Sequence, residues 1–227
     1  MHFEILAEDA SGKIMLEYLI PKIIDTDLHT YSIKPYKGCD SIPKGLKTSQ
    51  DPAKRSLLNQ LPRLLNAYGN TFKSYRGINA VVIVVCDLDK RNKEQFLGEL
   101  HQVLESCSCA PRASFCLAIE ECEAWLLGDW NAVKNAYPNA RRNVFGKYRN
   151  DSICNTWEML ADVVYPGGYK KLIENDYVFI GQIKCEWAER IAPLMDVRSN
   201  KSPSFNDFKV VLERYAQEES CYRQESR

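Results

Sequence analysis

Three stretches of this chain end an apolar run in acidic residues, and their types and spacing suit phosphate or metal chemistry. In Ala80–Lys90 (AVVIVVCDLDK) small, mostly β-branched residues lead straight into Asp87 and Asp89, with only Leu88 between them. Phe3–Ala7 runs into Glu8, and Ala113–Ile119 runs into Glu120, Glu121 and Glu123. Two carboxylates held close together repel unless a positive charge separates them, and a divalent cation is well suited to that place. A strand-terminal Asp-x-Asp sets both oxygens on one side of the chain because the side-chain period of a strand is two. Magnesium fits such a site, since it takes a few carboxylates and keeps waters that a phosphate displaces. A glutamate from a neighbouring strand end would then serve as general base or further ligand. The plainer reading is that carboxylates at strand ends cap the helices that follow.

The elements that must position these acids are legible in the pattern. Uninterrupted apolar runs bounded by charge read as strands buried on both faces of a parallel sheet. Strands are expected at Phe3–Ala7, Thr30–Tyr36, 80–86 and Ala113–Ile119. Helical spacing covers Lys13–Ile24, Ala53–Phe72, Lys93–Ser106 and Ala124–Ala136, with a polar, glycine-bearing loop at 39–52. Regular alternation of strand and helix argues for a doubly wound α/β sheet. Its strand ends lie on one edge, where open α/β sheets hold their ligands. Beyond about Pro138 the pattern is mainly helical, clearest at Thr156–Val164 and Phe205–Gln217, with Ser204 as the expected N-cap of the latter and a frayed polar tail after Glu218. The expected organisation is an α/β core over 1–136 and a helical C-terminal extension over 137–227 packed on it.

Bulk composition narrows the function classes. The chain has 227 residues, and its 30 basic residues balance its 30 acidic ones, so any nucleic-acid binding must come from a local patch. The acidic start MHFEILAEDASG lacks the basic head of a signal peptide. No segment approaches the roughly 18 apolar residues of a membrane span, which points to a cytoplasmic protein. Nine cysteines and three histidines, at positions 2, 29 and 101, contain no pair of ligand pairs with zinc spacing. Reduced thiols are expected, with Cys86, Cys116 and Cys122 packed as small hydrophobes. No Gly-x-Ser-x-Gly, Cys–His or Walker phosphate motif is present.

A strand-terminal Glu8 in ILAED, followed by a strand-terminal Asp-x-Asp in VVCDLD, resembles the Toprim fold of topoisomerases, primases and overcoming-lysogenization-defect nucleases. AIEECEAWLLGDW at 118–130 is similar to the acid-x-Glu-Ala-Trp-Leu-Leu-x-Asp signature of a Toprim-like bacterial family of unknown function. GGYKK at 167–171 and SPSFNDF at 202–208 resemble later motifs of that family, so the likeness spans roughly 3–213. It implies a three-layer α/β/α core with a mostly parallel sheet. It implies Glu8 as acid/base or metal ligand, Asp87 and Asp89 as the metal pair, and Glu121 and Glu123 as the family's own acids, with Trp125 and Asp129 on the following helix. Asp9 departs from the pattern, standing where relatives carry glycine. The resemblance further implies an AAA-type ATPase partner in an anti-phage defence setting.

Outside the acids, Tyr169, Lys170 and Lys171, and Arg198 before the last helix, are candidate phosphate contacts or ordinary solvated residues. Arg141, Arg142, Lys147 and Arg149 form the densest basic run, and Trp125 reads as core. The expected activity is magnesium- or manganese-dependent phosphodiester chemistry on DNA or RNA. Two alternatives stand beside it: a non-catalytic binding or regulatory subunit, favoured by the lack of an evident catalytic lysine, or an enzyme of nucleotides and other small phosphorylated ligands.

Overall fold

The computed structural model describes residues 1–38, 41–43, 45, 56–74, 79–152 and 155–225. Four parallel strands, β1 (His2–Ala7), β2 (Thr30–Pro35), β3 (Ala80–Asp87) and β4 (Ala113–Ala118), form one sheet in the order β2-β1-β3-β4. Most of the loop expected at 39–52, and the expected helical residues 53–55, lie outside the described residues. The period of two divides each central strand between two cores. Phe3, Ile5 and Ala7 with Val81, Ile83 and Val85 face one way, and Leu6 with Val82, Val84 and Cys86 face the other. Helices α2 (Leu57–Ser74) and α3 (Lys93–Glu105) cover the second face. Helix α1 (Ala10–Ile23) covers the first, together with the helices of the C-terminal half. The chain is therefore an α/β protein with a parallel sheet between helical layers and a helical C-terminal region.

This topology places a switch point between β1 and β3. Helix α1 leaves β1 toward one face and α3 leaves β3 toward the other, so a crevice opens between the two strand ends. Glu8 and Asp87 stand at its two sides.

The helix expected over Ala124–Ala136 is two helices, α4 (Glu123–Leu127) and α5 (Trp130–Ala136). Asp129 caps α5 by accepting from the Ala132 N–H at 3.1 Å. A Cβ on Gly128 would lie 2.1 Å from Asn200 Oδ1, so the break is packed directly against the C-terminal half. There follow α6 (Arg142–Phe145), α7 (Thr156–Val164), α8 (Gly168–Leu172), α9 (Tyr177–Ile191), a 3-10 turn Ala192–Leu194 and α10 (Pro203–Glu225). Helix α10 begins earlier than expected because Ser202, rather than Ser204, caps it, its hydroxyl accepting from the Phe205 N–H at 3.2 Å. Ser204 Oγ instead accepts from Trp125 Nε1 at 3.0 Å, and the expected frayed tail after Glu218 is helical as far as Glu225. Trp125 is fully buried, stacked on Phe208 with centroids 5.0 Å apart. Among the described residues no helix is long and apolar enough to cross a membrane.

Candidate functional site

At the C-terminal edge of the sheet, Glu8 at the end of β1 and Asp87 at the end of β3 are joined directly. The Asp87 N–H donates to Glu8 Oε2 at 2.7 Å, so the Glu8 carboxylate spans the switch point. Glu8 is 6% exposed. Asp87 in turn accepts at Oδ1 from the Cys122 N–H at 3.0 Å, which ties the β4–α4 turn to the same point. Asp9, the next residue after Glu8, is the N-cap of α1. Its Oδ1 accepts from the Gly12 N–H at 2.6 Å and its Oδ2 from Ser11 Oγ at 2.8 Å.

Into this group of acids reaches a residue that sequence reasoning missed. Lys184 on α9 places its Nζ 3.2 Å from Glu123 Oε1, with only 17% of the lysine side chain and 3% of the glutamate exposed. The charges of Glu121, Asp9 and Asp87 also act on the buried ammonium and, with Glu123, hold its proton firmly against desolvation. Helix α9 lies along α1, and its sequence signal was a single lysine within a stripe otherwise formed by Ile180, Ile183, Trp187, Ala188 and Ile191. Glu158 on α7 is a second missed member, its Oε2 buried without a hydrogen-bond donor.

One ammonium does not balance so many carboxylates. Burial, and then the neighbouring charges of Glu8 and Asp9, push the Asp87 carboxyl well above its usual range. Burial and the charge of Glu123 raise Glu121 to about 8 against the opposing pull of Lys184. Glu123 and Glu158 are raised as well, burial being the main cause in each. Glu4, on the same strand as Glu8 and also buried, shows the contrast. Burial opposes its ionisation too, yet hydrogen bonds from His2, Lys34 and Tyr68 bring its pKa below the usual value. Burial alone therefore does not set the site apart; a shortage of positive charge does. A cavity of about 460 Å3, lined by Asp9, Ser11, Val178, Gly181, Lys184 and Cys185 among others, opens onto the group.

Two of the expected acids have other partners. Asp89 has a φ of +50°, which ends the strand alternation that would have set it beside Asp87, and Arg91 Nη1 links the two residues by donating to the Asp87 carbonyl at 3.3 Å. The Asp89 carboxylate meets Arg91 at 3.2 Å and is 45% exposed. Glu120, also at positive φ (+57°), is tied to α7, its Oε2 accepting from the Thr156 N–H at 2.6 Å and from Thr156 Oγ1. Glu121 Oε2 accepts from the Trp157 N–H at 3.2 Å, so both glutamates fasten the N-terminus of α7 to the sheet edge.

The candidate phosphate contacts stand on α8 and on the loop before α10. Lys170 and Lys171 are exposed on α8, with Lys171 paired to Glu174, and Tyr169 packs edge-on against Trp157 with centroids 5.4 Å apart. Arg198 sits on the loop whose Met195 carbonyl binds Lys22 near the C-terminus of α1. That is about 20 Å of helix from Asp9. In the basic run, Arg141 is spent on the carbonyls of Ala161, Asp162 and Tyr165, and Arg142 lies 4.5 Å over the Trp130 ring.

The donor set suits a hard divalent cation: carboxylate oxygens at the mouth of a parallel sheet, short of positive charge. Among the described residues no three histidine, cysteine, aspartate or glutamate side chains are already drawn together at ligand distance, and Lys184 stands among the acids. Compared with family models, curated proteins and solved structures, the chain finds no significant match to any of them.

Proposed function

We propose that this chain carries out divalent-cation-dependent phosphodiester cleavage on nucleic acid, with magnesium or manganese as its cofactor. The observation that supports this reading is the excess of buried carboxylate around Lys184 at the sheet's switch point, with Asp87 raised well above its usual range and Glu121 to about 8. Protons or a cation must make up the missing charge, and a divalent cation does so at neutral pH. Asp87 and Glu123 would hold it, while Glu8 fixes Asp87 through the backbone N–H. When bound, such a cation supplies Lewis-acid polarisation of a phosphoryl oxygen. Lys184 contributes a fixed positive charge toward the developing charge on phosphorus oxygens. Glu121, whose carboxyl is raised to about 8 in the metal-free chain, is the acid of this group suited to pass a proton to a leaving oxygen. The Toprim-like motifs Glu8, Asp87 and Glu-Ala-Trp-Leu-Leu point the same way, and the AAA-type ATPase partner they imply belongs to this proposal.

A non-catalytic subunit is the second reading. One observation favours it: Lys184 already occupies the midst of the acids, and no ready-made set of three ligands stands there among the described residues. The purified chain and its Glu8→Gln and Asp87→Asn variants, incubated with plasmid, single-stranded DNA and RNA plus magnesium or manganese, separate the two. Metal-dependent cleavage lost in both variants supports the enzyme. Cleavage surviving in both places the activity elsewhere.

A further inference from the structure

Between Asp129 and Asp151 the chain carries no acidic residue and five basic ones, in a protein whose basic and acidic residues balance at 30 each. The two bounding aspartates are bonded inward. Asp129 accepts from the Ala132 and Asp196 N–H groups at 3.1 and 2.9 Å. Asp151 accepts from the Ser202 hydroxyl at 2.7 Å and from the Ser204 N–H at 2.6 Å. The charge of this stretch is therefore positive and local.

The elements bring these cations together. Trp130 and Lys134 are i and i+4 on α5, hence neighbours on that helix. Phe145 of α6 meets Trp130 with ring centroids 4.7 Å apart, and the Arg142 guanidinium lies over both rings, 4.5 Å from Trp130 and 5.4 Å from Phe145. Lys147 and Arg149 follow in the turn after α6, where the Lys147 N–H donates to the Val144 carbonyl at 3.0 Å. Lys134, Arg142, Lys147 and Arg149 are all exposed, and among the described residues none of them faces a carboxylate. Lys13, Lys34, Lys93, Lys171 and Arg190, on other surfaces, each do. Helix α6 packs on α7, which is about 13 Å long and whose head is fastened to the acidic edge through Thr156 and Glu120.

Stacking on Trp130 and Phe145 holds the Arg142 guanidinium in place while leaving its N–H donors free among the described residues, and a planar guanidinium so held matches a phosphate. Several unpaired cations over one surface suit a run of phosphates rather than one small anion. The rings that would enter a lipid surface are half-buried beneath Arg142, which favours a nucleic-acid backbone over a membrane. We infer that the face bearing Lys134, Arg142, Lys147 and Arg149 seats the phosphate backbone of a nucleic acid without regard to its sequence. This rests on the nucleic-acid reading above and supplies the local basic surface that a chain of zero net charge needs to hold a polyanion.

The test is equilibrium binding without turnover. A short fluorescent duplex, of DNA or of RNA, is titrated with the full chain in EDTA, and anisotropy is read over a range of salt concentrations. For wild type, the logarithm of affinity should fall against the logarithm of salt with a slope between about −3 and −4, as four phosphate contacts require. The double variant Lys147→Ala/Arg149→Ala is expected to weaken binding on the order of tenfold and to reduce that slope by about 2. Lys134→Ala should reduce it by about 1, and Lys93→Ala, whose amine faces Asp207, should change neither quantity. Circular dichroism checks that each variant folds. Binding of either duplex with these slopes supports the inference. No binding by wild type, wild-type affinity and slope in the double variant, or an equal loss in Lys93→Ala overturns it. Equal binding to phosphatidylglycerol vesicles also overturns it and makes the face a membrane contact. With no divalent cation present the titration does not depend on the carboxylate site. Metal-dependent cleavage alongside wild-type binding in the double variant would strike this face alone, whereas binding as expected without cleavage would strike the enzyme reading and leave the face standing.

Discussion

Lys184 Nζ lies 3.2 Å from Glu123 Oε1, joining a helix of the C-terminal half to the turn after β4 inside a group of carboxylates. The lysine supplies part of the positive charge that the acids of this edge need. It also marks the place a larger positive charge would strengthen.

Removing the amine should therefore be costly. Lys184→Met leaves Glu123 buried without its partner and is expected to lower stability by about 3 kcal/mol in urea unfolding. Millimolar magnesium should restore part of that loss. A loss under 1 kcal/mol, unaffected by magnesium, would mean that the acids do not depend on the lysine.

The raised carboxyls predict an unusual pH dependence. Glu121 is raised from 4.5 to about 8, so over that range the folded state binds more protons than the unfolded one. Stability without metal must then fall as pH rises from about 4.5 to 8, with Asp87 and Glu123 acting in the same direction. Lys184, raised as well, stays protonated in both states across this window and adds no slope. Thermal unfolding in metal-free buffers should show the fall, and Glu121→Gln should flatten it. Magnesium should stabilise more strongly at higher pH, because it competes with protons for the same oxygens.

Glu120 and Glu123 sit three residues apart yet separate in role. Glu120→Ala removes the acceptor for the Thr156 N–H and hydroxyl and should cost about 2 kcal/mol of stability while leaving manganese affinity unchanged. Glu123→Gln should lower manganese affinity. Chemical denaturation and calorimetry, run on both variants, check the division.

Gly128→Ala probes the joint between the two halves of the chain. Its Cβ would lie 2.1 Å from Asn200 Oδ1, and Asn200 Nδ2 also donates to the Trp125 carbonyl at 2.8 Å. Destabilisation of about 2–3 kcal/mol is expected from the forced shift, read as a lowered denaturation midpoint.

Much of this architecture was legible from local pattern. The apolar run into Asp87 identified a strand buried on both faces, and strand–helix alternation placed Glu8 and Asp87 on one edge. What escaped depended on contacts between distant residues or on single backbone angles. Asp89 was paired with Asp87 by extending the strand's alternation two residues, but the backbone turns left-handed at Asp89 and the alternation stops. The helix over 124–136 breaks where Asp129 turns extended and caps α5, just after Gly128, on which Asn200 from far along the chain is packed. Lys184 was invisible as a site residue because its partners Glu123, Glu121, Asp9 and Asp87 come from three other segments. A charged residue on an otherwise apolar helical stripe was its one local sign.

The most direct test of the central claim is a calorimetric titration of manganese into the metal-free chain at neutral pH, repeated on Asp87→Asn and on Asp89→Asn. Saturable uptake is expected of wild type, loss in Asp87→Asn, and retention within a few-fold in Asp89→Asn, whose carboxylate is paired with Arg91. No uptake by wild type, or equal uptake in Asp87→Asn, would contradict a cation site at the end of β3.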